Sequence, residues 1–343
     1  MQRTRAVSAR ISLTLTAAAC TAGLAAPVFA GTADSVAAKT LAGDSAAQQK
    51  VLDYWTPERI AALTQPPSDN PPKSGPDGAP WTGHDEIPAT VGRLFYTDHG
   101  EDASCTATIV HSANRSTVVT AGHCVNNTDL IGENNQWNAN LMFVPGYRDG
   151  KAPYGKFVAR FGFADKTWLR NDQQHQRFDA YDQGFLALGG NERGQSVQDA
   201  TGAAQDIGFD KPGTAPVAQF GYPRAASDPD REGLPEFRGD RLAYCHGDPR
   251  EYPGTADRPE PKGLWGTDCV MGGGSSGGPR IAELDPKTGR GVVVGDNEKA
   301  GFFDEAGKVC PTGKTEHCRR YLLGPQFGTA ITEPLFERAQ HAS

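Results

Sequence analysis

The sequence predicts an all-β fold made of many short strands. Seven short runs of apolar and β-branched residues are separated by Gly, Asn, Asp and Pro, a pattern typical of strands joined by turns. Few segments show a sustained helical period; Thr332 to Gln340 predicts a short C-terminal helix, because Thr332 and Glu333 offer a cap and the apolar residues share a face. The predicted strands are Val91 to Tyr96, Cys105 to Val110, Thr117 to Ala121, Leu141 to Val144, Gly184 to Leu188, Val217 to Gly221 and Val292 to Gly295.

The first thirty residues have the pattern of a cleaved secretory signal. Three arginines precede an apolar run that begins at Ile11 and ends in the small-x-small sequence Val28-Phe29-Ala30. A transmembrane anchor is the alternative, but Thr and Gly interrupt the run and no second apolar span follows it. Cys20 lacks the Leu three positions earlier that a lipoprotein anchor would have. We therefore expect a secreted, extracellular protein without stable membrane association, cleaved near Ala30.

Residues 31–83 differ in composition from the rest of the chain. They are Ala-rich and polar as far as Lys50, and a short helical pattern follows around Val51 to Leu63. The stretch from Gln65 to Pro80 is crowded with Pro, Gly, Ser and Asp, which is typical of a linker. The region is either a propeptide that is removed on maturation or a mobile arm that stays attached. The secretory context favours the propeptide, and hence a zymogen.

The overall charge excludes some classes of partner. The formal net charge of the 343 residues is −7, and acidic and basic residues are interspersed along the chain. Nucleic acids and anionic membranes bind concentrated basic surfaces, which this pattern does not offer. We therefore expect neither as the main partner.

Six cysteines remain outside the predicted signal, and an even number in an exported protein predicts three disulfides. Six cysteines permit fifteen pairings, of which pairing neighbours in order is the most economical. No CxxC pair is present, so a zinc site is the less favoured interpretation. The six are Cys105, Cys124, Cys245, Cys269, Cys310 and Cys318.

One of the eight histidines has an unusual context. His123 directly follows the predicted strand Thr117 to Ala121, and Cys124 beside it can be tied to Cys105 on the preceding strand. Such a histidine would be held at a rigid strand end. The other histidines lack this context and are interpreted as structural or surface residues.

A serine lies in a glycine-dense turn near the C-terminal end. In Gly272-Gly273-Gly274-Ser275-Ser276-Gly277-Gly278-Pro279, the glycines permit close approach of backbone to a substrate. The amides of Gly274 and Ser276 could donate to the oxygen of a tetrahedral intermediate. A flexible Gly/Ser linker is the alternative, but the turn is bounded by Cys269 and Pro279 and precedes a strand-like sequence.

A serine nucleophile needs a base, and the base needs a buried carboxylate that fixes its tautomer. Asp179 and Asp182 both lie just before the predicted strand Gly184 to Leu188. Asp182 is favoured because it immediately precedes that strand, whereas Asp179 lies in a looser polar segment. The predicted catalytic residues are therefore His123, Asp182 and Ser276.

The sequences Thr-Ala-Gly-His-Cys and Gly-Ser-Ser-Gly-Gly-Pro, with an Asp between them, resemble the chymotrypsin-like (trypsin-type) serine proteases. The resemblance covers about residues 85–338. Phe220-Gly221-Tyr222-Pro223 and Leu242-Ala243-Tyr244-Cys245 are similar to the secreted bacterial branch that includes the glutamyl endopeptidases. The resemblance to this family implies two packed six-stranded antiparallel β-barrels, in residues 84–200 and 201–343. It also implies the disulfides Cys105–Cys124 and Cys245–Cys269, which leaves Cys310 to pair with Cys318.

The resemblance further implies a secreted serine endopeptidase that hydrolyses peptide bonds through an acyl-enzyme. Gly274 and Ser276 would form the oxyanion hole. No cofactor or metal is needed for this chemistry, and we expect protein or peptide substrates and a monomer. Two features depart from the family. Ser275 stands where trypsin-type zymogens have an Asp, and Val292 to Glu298 lacks the histidine that glutamyl endopeptidases use to bind substrate.

Two other functions fit parts of the sequence. Gly274 to Gly278 also matches the Gly-x-Ser-x-Gly turn of esterases, but that fold requires an Asp and then a His well after the serine. After Ser276 the chain has only His317 and His341, without βα repeats around them. A non-catalytic binding or adhesion module on a protease scaffold is the second alternative. Such proteins usually lose a catalytic residue, whereas all three residue types are present here.

Overall fold

The computed structural model describes residues 35–69, 71, 77–172, 175–256, 258–311 and 317–343. The predicted signal, with Cys20 and the cleavage position near Ala30, lies outside the described residues. Within them, no helix is long and apolar enough to cross a membrane.

The first half of the chain forms a closed antiparallel barrel of six strands. The strands of this half and the segment before it are β1 Val36–Thr40, β2 Asp77–Pro80, β3 Val91–Asp98, β4 Glu101–Ile109, β5 Thr117–Thr120, β6 Asn126–Asn127, β7 Gln136–Trp137, β8 Ala139–Pro145, β9 Phe157–Asp165 and β10 Gly184–Leu188. The closure follows the order β3, β4, β5, β10, β9 and β8, and β8 pairs back with β3. One further strand, β1, pairs with β9 outside this ring.

Strand alternation gives this barrel two buried surfaces. Leu94 on β3 and Leu186 on β10 belong to one apolar cluster. Their neighbours Phe95 and Phe185 point to the opposite side of the sheet and belong to a second, larger cluster. Successive side chains of a strand face opposite ways, so the continuous apolar runs of the sequence indicate strands covered on both faces.

The second half has its strands in two sheets. The strands are β11 Asp206–Ile207, β12 Val217–Gly221, β13 Ala243–Gly247, β14 Arg250–Glu251, β15 Leu264–Asp268, β16 Pro279–Asp285, β17 Arg290–Asp296, β18 Lys299–Asp304 and β19 Cys318–Pro325. One sheet has the order β11, β17, β16, β12, β13 and β2, and the other β14, β15, β19 and β18. The expected closed six-stranded ladder is therefore divided within the described residues, and an isolated bridge from Gly295 to Gln326 connects its parts.

The helices are short, and the C-terminal one occupies the predicted residues. Its apolar residues Leu335, Phe336 and Ala339 are buried. Thr332 does not cap it as expected: the Thr332 hydroxyl donates to Oε1 of Gln183 at 2.6 Å. The helices are α1 Ser45–Tyr54, α2 Pro57–Ala62, α3 Glu86–Thr90, α4 Val197–Thr201 and α5 Thr332–Gln340.

The segment before the barrel packs against it. Strand β1 pairs with β9 from Val36 to Thr40, and α1 and α2 cover the predicted helical pattern. Trp55 is 1% exposed and its Nε1 donates to the carbonyl of Asn140 at 2.6 Å. Within the stretch expected to be a linker, Ala79 and its neighbours form β2, which pairs with β13. Part of this segment is thus folded together with the two halves that follow it.

Three disulfides hold loops of both halves. Cys105 is bonded to Cys124, Cys245 to Cys269, and Cys310 to Cys318, as expected from the sequence. Closing a loop the length of Cys105 to Cys124 contributes about 3 kcal/mol to the free energy of unfolding. The first of these bonds fixes the residues next to His123.

Candidate active site

His123 lies in a single helical turn directly after β5. Ala121 is still extended, and residues Gly122–Cys124 form the turn. The disulfide at Cys124 holds one side of this turn. Nδ2 of Asn138 donates to the carbonyl of His123 at 3.0 Å and holds the other. The backbone that carries the imidazole is therefore fixed by several independent contacts.

Asp182 is the carboxylate that contacts His123. Its Oδ2 lies 2.7 Å from Nδ1 of His123, and its Oδ1 accepts from the His123 backbone amide, also at 2.7 Å. Asp182 is 3% exposed. A Cβ at Gly122 would come within 3.0 Å of Oδ1, so the glycine allows the carboxylate to approach. Asp179 instead forms an ion pair with Lys299.

The surroundings of His123 act on its pKa in opposite directions. Burial disfavours the imidazolium, whereas the negative charge of Asp182 and its hydrogen bond favour it. Burial is the largest single effect, but the contributions of Asp182 and the charge of Asp98 together exceed it, so the pKa of His123 is raised above its ordinary value of 6.5. An imidazole whose Nδ1 donates to Asp182 presents Nε2 as an acceptor, which is the state a general base requires.

The two serines of the glycine-rich turn have different environments. Ser275 is 1% exposed, and its hydroxyl donates to the carbonyl of Gly272 at 2.6 Å. Ser276 is partly exposed. Gly274 and Gly277 on either side have φ values of 98° and 75°, in the left-handed region that glycine tolerates best. This backbone buries one serine and presents the other to solvent.

The turn lies against the backbone that leads into His123. The carbonyl of Ser276 accepts from the amide of Thr106 at 2.8 Å. A Cβ at Gly277 would lie 2.0 Å from Oγ1 of Thr120 and 2.7 Å from the amide of Ala121, two residues before the histidine. Only a glycine fits this close approach. The packing brings the Ser276 backbone and the His123 backbone to the same junction between the halves.

The amides of Gly274 and Ser276 are available to an incoming oxygen. In the part of the chain that the structure describes, neither the amide of Gly274 nor that of Ser276 has an acceptor. The carbonyl of Gly273 accepts from the amide of Arg224 at 2.7 Å, which fixes the peptide plane to which the Gly274 amide belongs. The carbonyl of Ser275 accepts from the amide of Gly278 at 3.0 Å, which fixes the peptide plane to which the Ser276 amide belongs. Such preorganised donors can stabilise an oxyanion.

Solved structures similar to this chain are serine proteases. The thermostable serine protease AL20 from an extremophilic microorganism is 28% identical, with 75% of this chain and all of that one covered and a TM-score of 0.57. The protease Anisep from Arthrobacter nicotinovorans is also 28% identical, with 76% and 98% covered and a TM-score of 0.56. No protein-family model and no curated protein sequence matches the chain. The chain has the chymotrypsin-like serine protease fold.

A third similar structure agrees with this fold. A Glu endopeptidase solved in complex with MPD is 17% identical, with 77% of this chain and 98% of that one covered and a TM-score of 0.50. At that identity the likeness concerns the chymotrypsin-like fold alone.

The chymotrypsin-like core contains a polar network that the sequence analysis missed. Nδ2 of Asn297 donates to the carbonyls of Phe220 and Ser275, and its Oδ1 accepts from Gln219 at 2.7 Å. Oε1 of Gln219 in turn accepts from the hydroxyl and the amide of Thr267. Asn297 and Gln219 are both 0% exposed. The sequence signal for this network was Gln219, a polar residue within the otherwise apolar strand β12.

Charged groups are also buried behind the site. Asp296 is 0% exposed, and its pKa is raised well above the ordinary range by burial and by repulsion from Asp182, despite attraction to Arg280. Burial lowers the pKa of Arg280 to about 10. The Arg280 guanidinium donates to the carbonyls of Gly324 and Pro325, at 2.8 and 2.6 Å. Asp296 and Arg280 are thus both buried and do not face solvent.

Metal-ligand residue types also meet next to His123. Ligand atoms of Cys105, His123 and Cys124 lie within 4.8 Å of one another. Both sulfurs are in a disulfide. Thiolate is the form that binds metals, so this group does not offer a metal site.

Proposed function

We propose that the chain is a secreted serine endopeptidase with His123, Asp182 and Ser276 as its catalytic triad. The observation that carries the proposal is the 2.7 Å contact between Nδ1 of His123 and a buried Asp182 carboxylate, beside a turn that presents Ser276. Similarity to serine proteases over three quarters of the chain supports the same chemistry.

In this mechanism neutral His123 accepts the Ser276 proton at Nε2 while the serine oxygen attacks the scissile carbonyl. The Asp182 carboxylate stabilises the imidazolium that forms. The amides of Gly274 and Ser276 donate to the oxyanion, and each such donor is worth about 10²–10³ in rate. The imidazolium then protonates the leaving amine, which produces the acyl-enzyme. Water that loses its proton to His123 releases the acid and restores the serine.

Polypeptides are the proposed substrates, because the similar structures are proteases. Three disulfides fit an extracellular protein. Secretion and a monomeric state remain our proposals on the sequence evidence. The chemistry assigned to the triad requires no cofactor.

Removal of residues 31–83 remains a prediction, and the contacts favour the alternative in which part of this segment stays attached. Its release would break the pairing of β1 with β9 and remove the buried Trp55, which packs against Phe95 on β3. It would also remove the carbonyl of Leu63, which accepts from the buried guanidinium of Arg93 at 2.8 Å. Losing these contacts would expose apolar surface of the first barrel.

The test is the cleavage of a denatured protein by the wild-type chain, Ser276→Ala and Ser275→Ala. We expect Ser276→Ala to abolish cleavage and Ser275→Ala, which changes only the buried neighbour, to retain the nucleophile. Equal cleavage by the wild type and Ser276→Ala would overturn the assignment.

A further inference from the structure

Thr106, on β4 next to Cys105, is bonded to the serine turn through both its backbone and its side chain. Its amide donates to the carbonyl of Ser276 at 2.8 Å, and its hydroxyl donates to the carbonyl of Gly274 at 2.9 Å. The hydroxyl also accepts from the amide of Tyr222 at 2.9 Å. Thr106 is 0% exposed, so water does not compete for these bonds.

These bonds complete the fixation of the backbone around the two available amides. The carbonyls of residues 273 and 275 accept from Arg224 and from Asn297 and Gly278, as described above. Thr106 holds the two remaining carbonyls, those of Gly274 and Ser276. All four successive carbonyls of the turn are thus bonded, while the amides of Gly274 and Ser276 have no acceptor within the described residues.

We propose that the Thr106 hydroxyl is a positioning group for the oxyanion hole, linking the first barrel to the turn that carries Ser276. The proposal rests on the protease function proposed above. Thr106 does not touch the reacting atoms: its hydroxyl fixes the Gly274–Ser275 peptide, which joins the two oxyanion donors. Electrostatic stabilisation of a transition state requires donors that are already oriented when the charge develops.

The position also explains why a threonine is needed. Valine has the same shape but no hydroxyl, so it would leave the Gly274 carbonyl without its donor and the Tyr222 amide without its acceptor. A buried carbonyl without a partner turns toward another donor. Rotation of the Gly274–Ser275 peptide would move the amides on either side of it.

The test compares Thr106→Val with Thr106→Ser and with Thr108→Val. Thr108 is a matched control, because it lies two residues along the same strand, is 0% exposed, and has a hydroxyl without a partner in the described part of the chain. For Thr106→Val we expect kcat to fall about 10- to 100-fold with KM within about threefold, since small misplacements of catalytic groups cost up to about 100-fold. Thr106→Ser should restore kcat to within a few-fold, and Thr108→Val should leave it unchanged.

The pH dependence of activity separates positioning from a general structural defect. The pH dependence of kcat/KM should be unchanged in Thr106→Val, because the contact between His123 and Asp182 is intact. If Thr106→Val does not fold, Thr106→Ala replaces it, with the same expected loss of kcat. Wild-type kcat in the folded variant, or equal losses in Thr106→Val and Thr108→Val, would overturn the role of Thr106 alone. A wild-type chain that cleaves nothing would overturn the protease function and this role with it.

Discussion

Replacing Asp182 with asparagine changes one oxygen of the carboxylate into an amide NH₂ group of the same size. In the wild-type chain both donors of His123, its backbone amide and Nδ1, end on Asp182 at 2.7 Å. The backbone amide can only donate, so it retains the remaining oxygen. The NH₂ group then faces Nδ1, which must become an acceptor. The ring proton moves to Nε2, where it blocks acceptance of the serine proton.

The size of the effect follows from this change of tautomer. The wrong tautomer of a triad histidine lowers kcat by about 10⁴-fold, which corresponds to about 5.5 kcal/mol of transition-state stabilisation. The burial of Asp182 supports the full effect, since at 3% exposure little water can solvate an alternative arrangement.

The assay is the hydrolysis of a peptide substrate by Asp182→Asn and by Asp179→Asn as the matched control. Asp179 contacts Lys299 and not His123, and Lys299 retains its contact with Glu260 at 2.5 Å. We expect Asp179→Asn to change kcat by less than about tenfold, because one ion pair of partly exposed groups contributes little. Activity of Asp182→Asn within tenfold of wild type, or an equal loss in Asp179→Asn, would refute the reasoning.

Two further predictions concern pH and the N-terminal segment. The acidic limb of kcat/KM should lie above pH 6.5, because only the neutral imidazole acts as base and the pKa of His123 is raised. Burial lowers this pKa, but the charge of Asp182, its hydrogen bond and the charge of Asp98 together raise it by more. A pH–rate profile with its limb below pH 6.5 contradicts this. Trp55→Ala should lower the free energy of unfolding by about 3–5 kcal/mol in urea titrations, because a buried aromatic side chain is lost. Leu130→Ala is the control, because Leu130 is 96% exposed. Equal free energies of unfolding for Trp55→Ala and Leu130→Ala would show that the N-terminal segment does not support the fold.

Much of the barrel could be predicted because its signals are local. Each of the seven predicted strands overlaps a strand of the structure, and the C-terminal helix has the predicted bounds. All three disulfides join neighbouring cysteines, a choice that required no knowledge of distant contacts. The contact between His123 and Asp182 agrees with the placement of an acid at a strand start.

The missed features depend on contacts between residues far apart in sequence. Strand β1 is a short, partly exposed sequence that becomes a strand only by pairing with β9, more than a hundred residues later. Proline and glycine in Asp77–Pro80 suggested a linker, but an edge strand tolerates both, and β2 lies at a sheet edge. Thr106 has no special signature, and its importance comes from the Gly274 carbonyl, 168 residues away in sequence.

The most direct test that the chain is a serine endopeptidase with Ser276 as its nucleophile is the digestion of a denatured protein by the wild-type chain and by Ser276→Ala. Every new terminus is mapped by mass spectrometry. Loss of the nucleophile should reduce turnover by about 10⁶-fold. We expect defined new termini with the wild-type chain and none above background with Ser276→Ala. The same termini at the same rate with both proteins would contradict the role of Ser276 as the nucleophile.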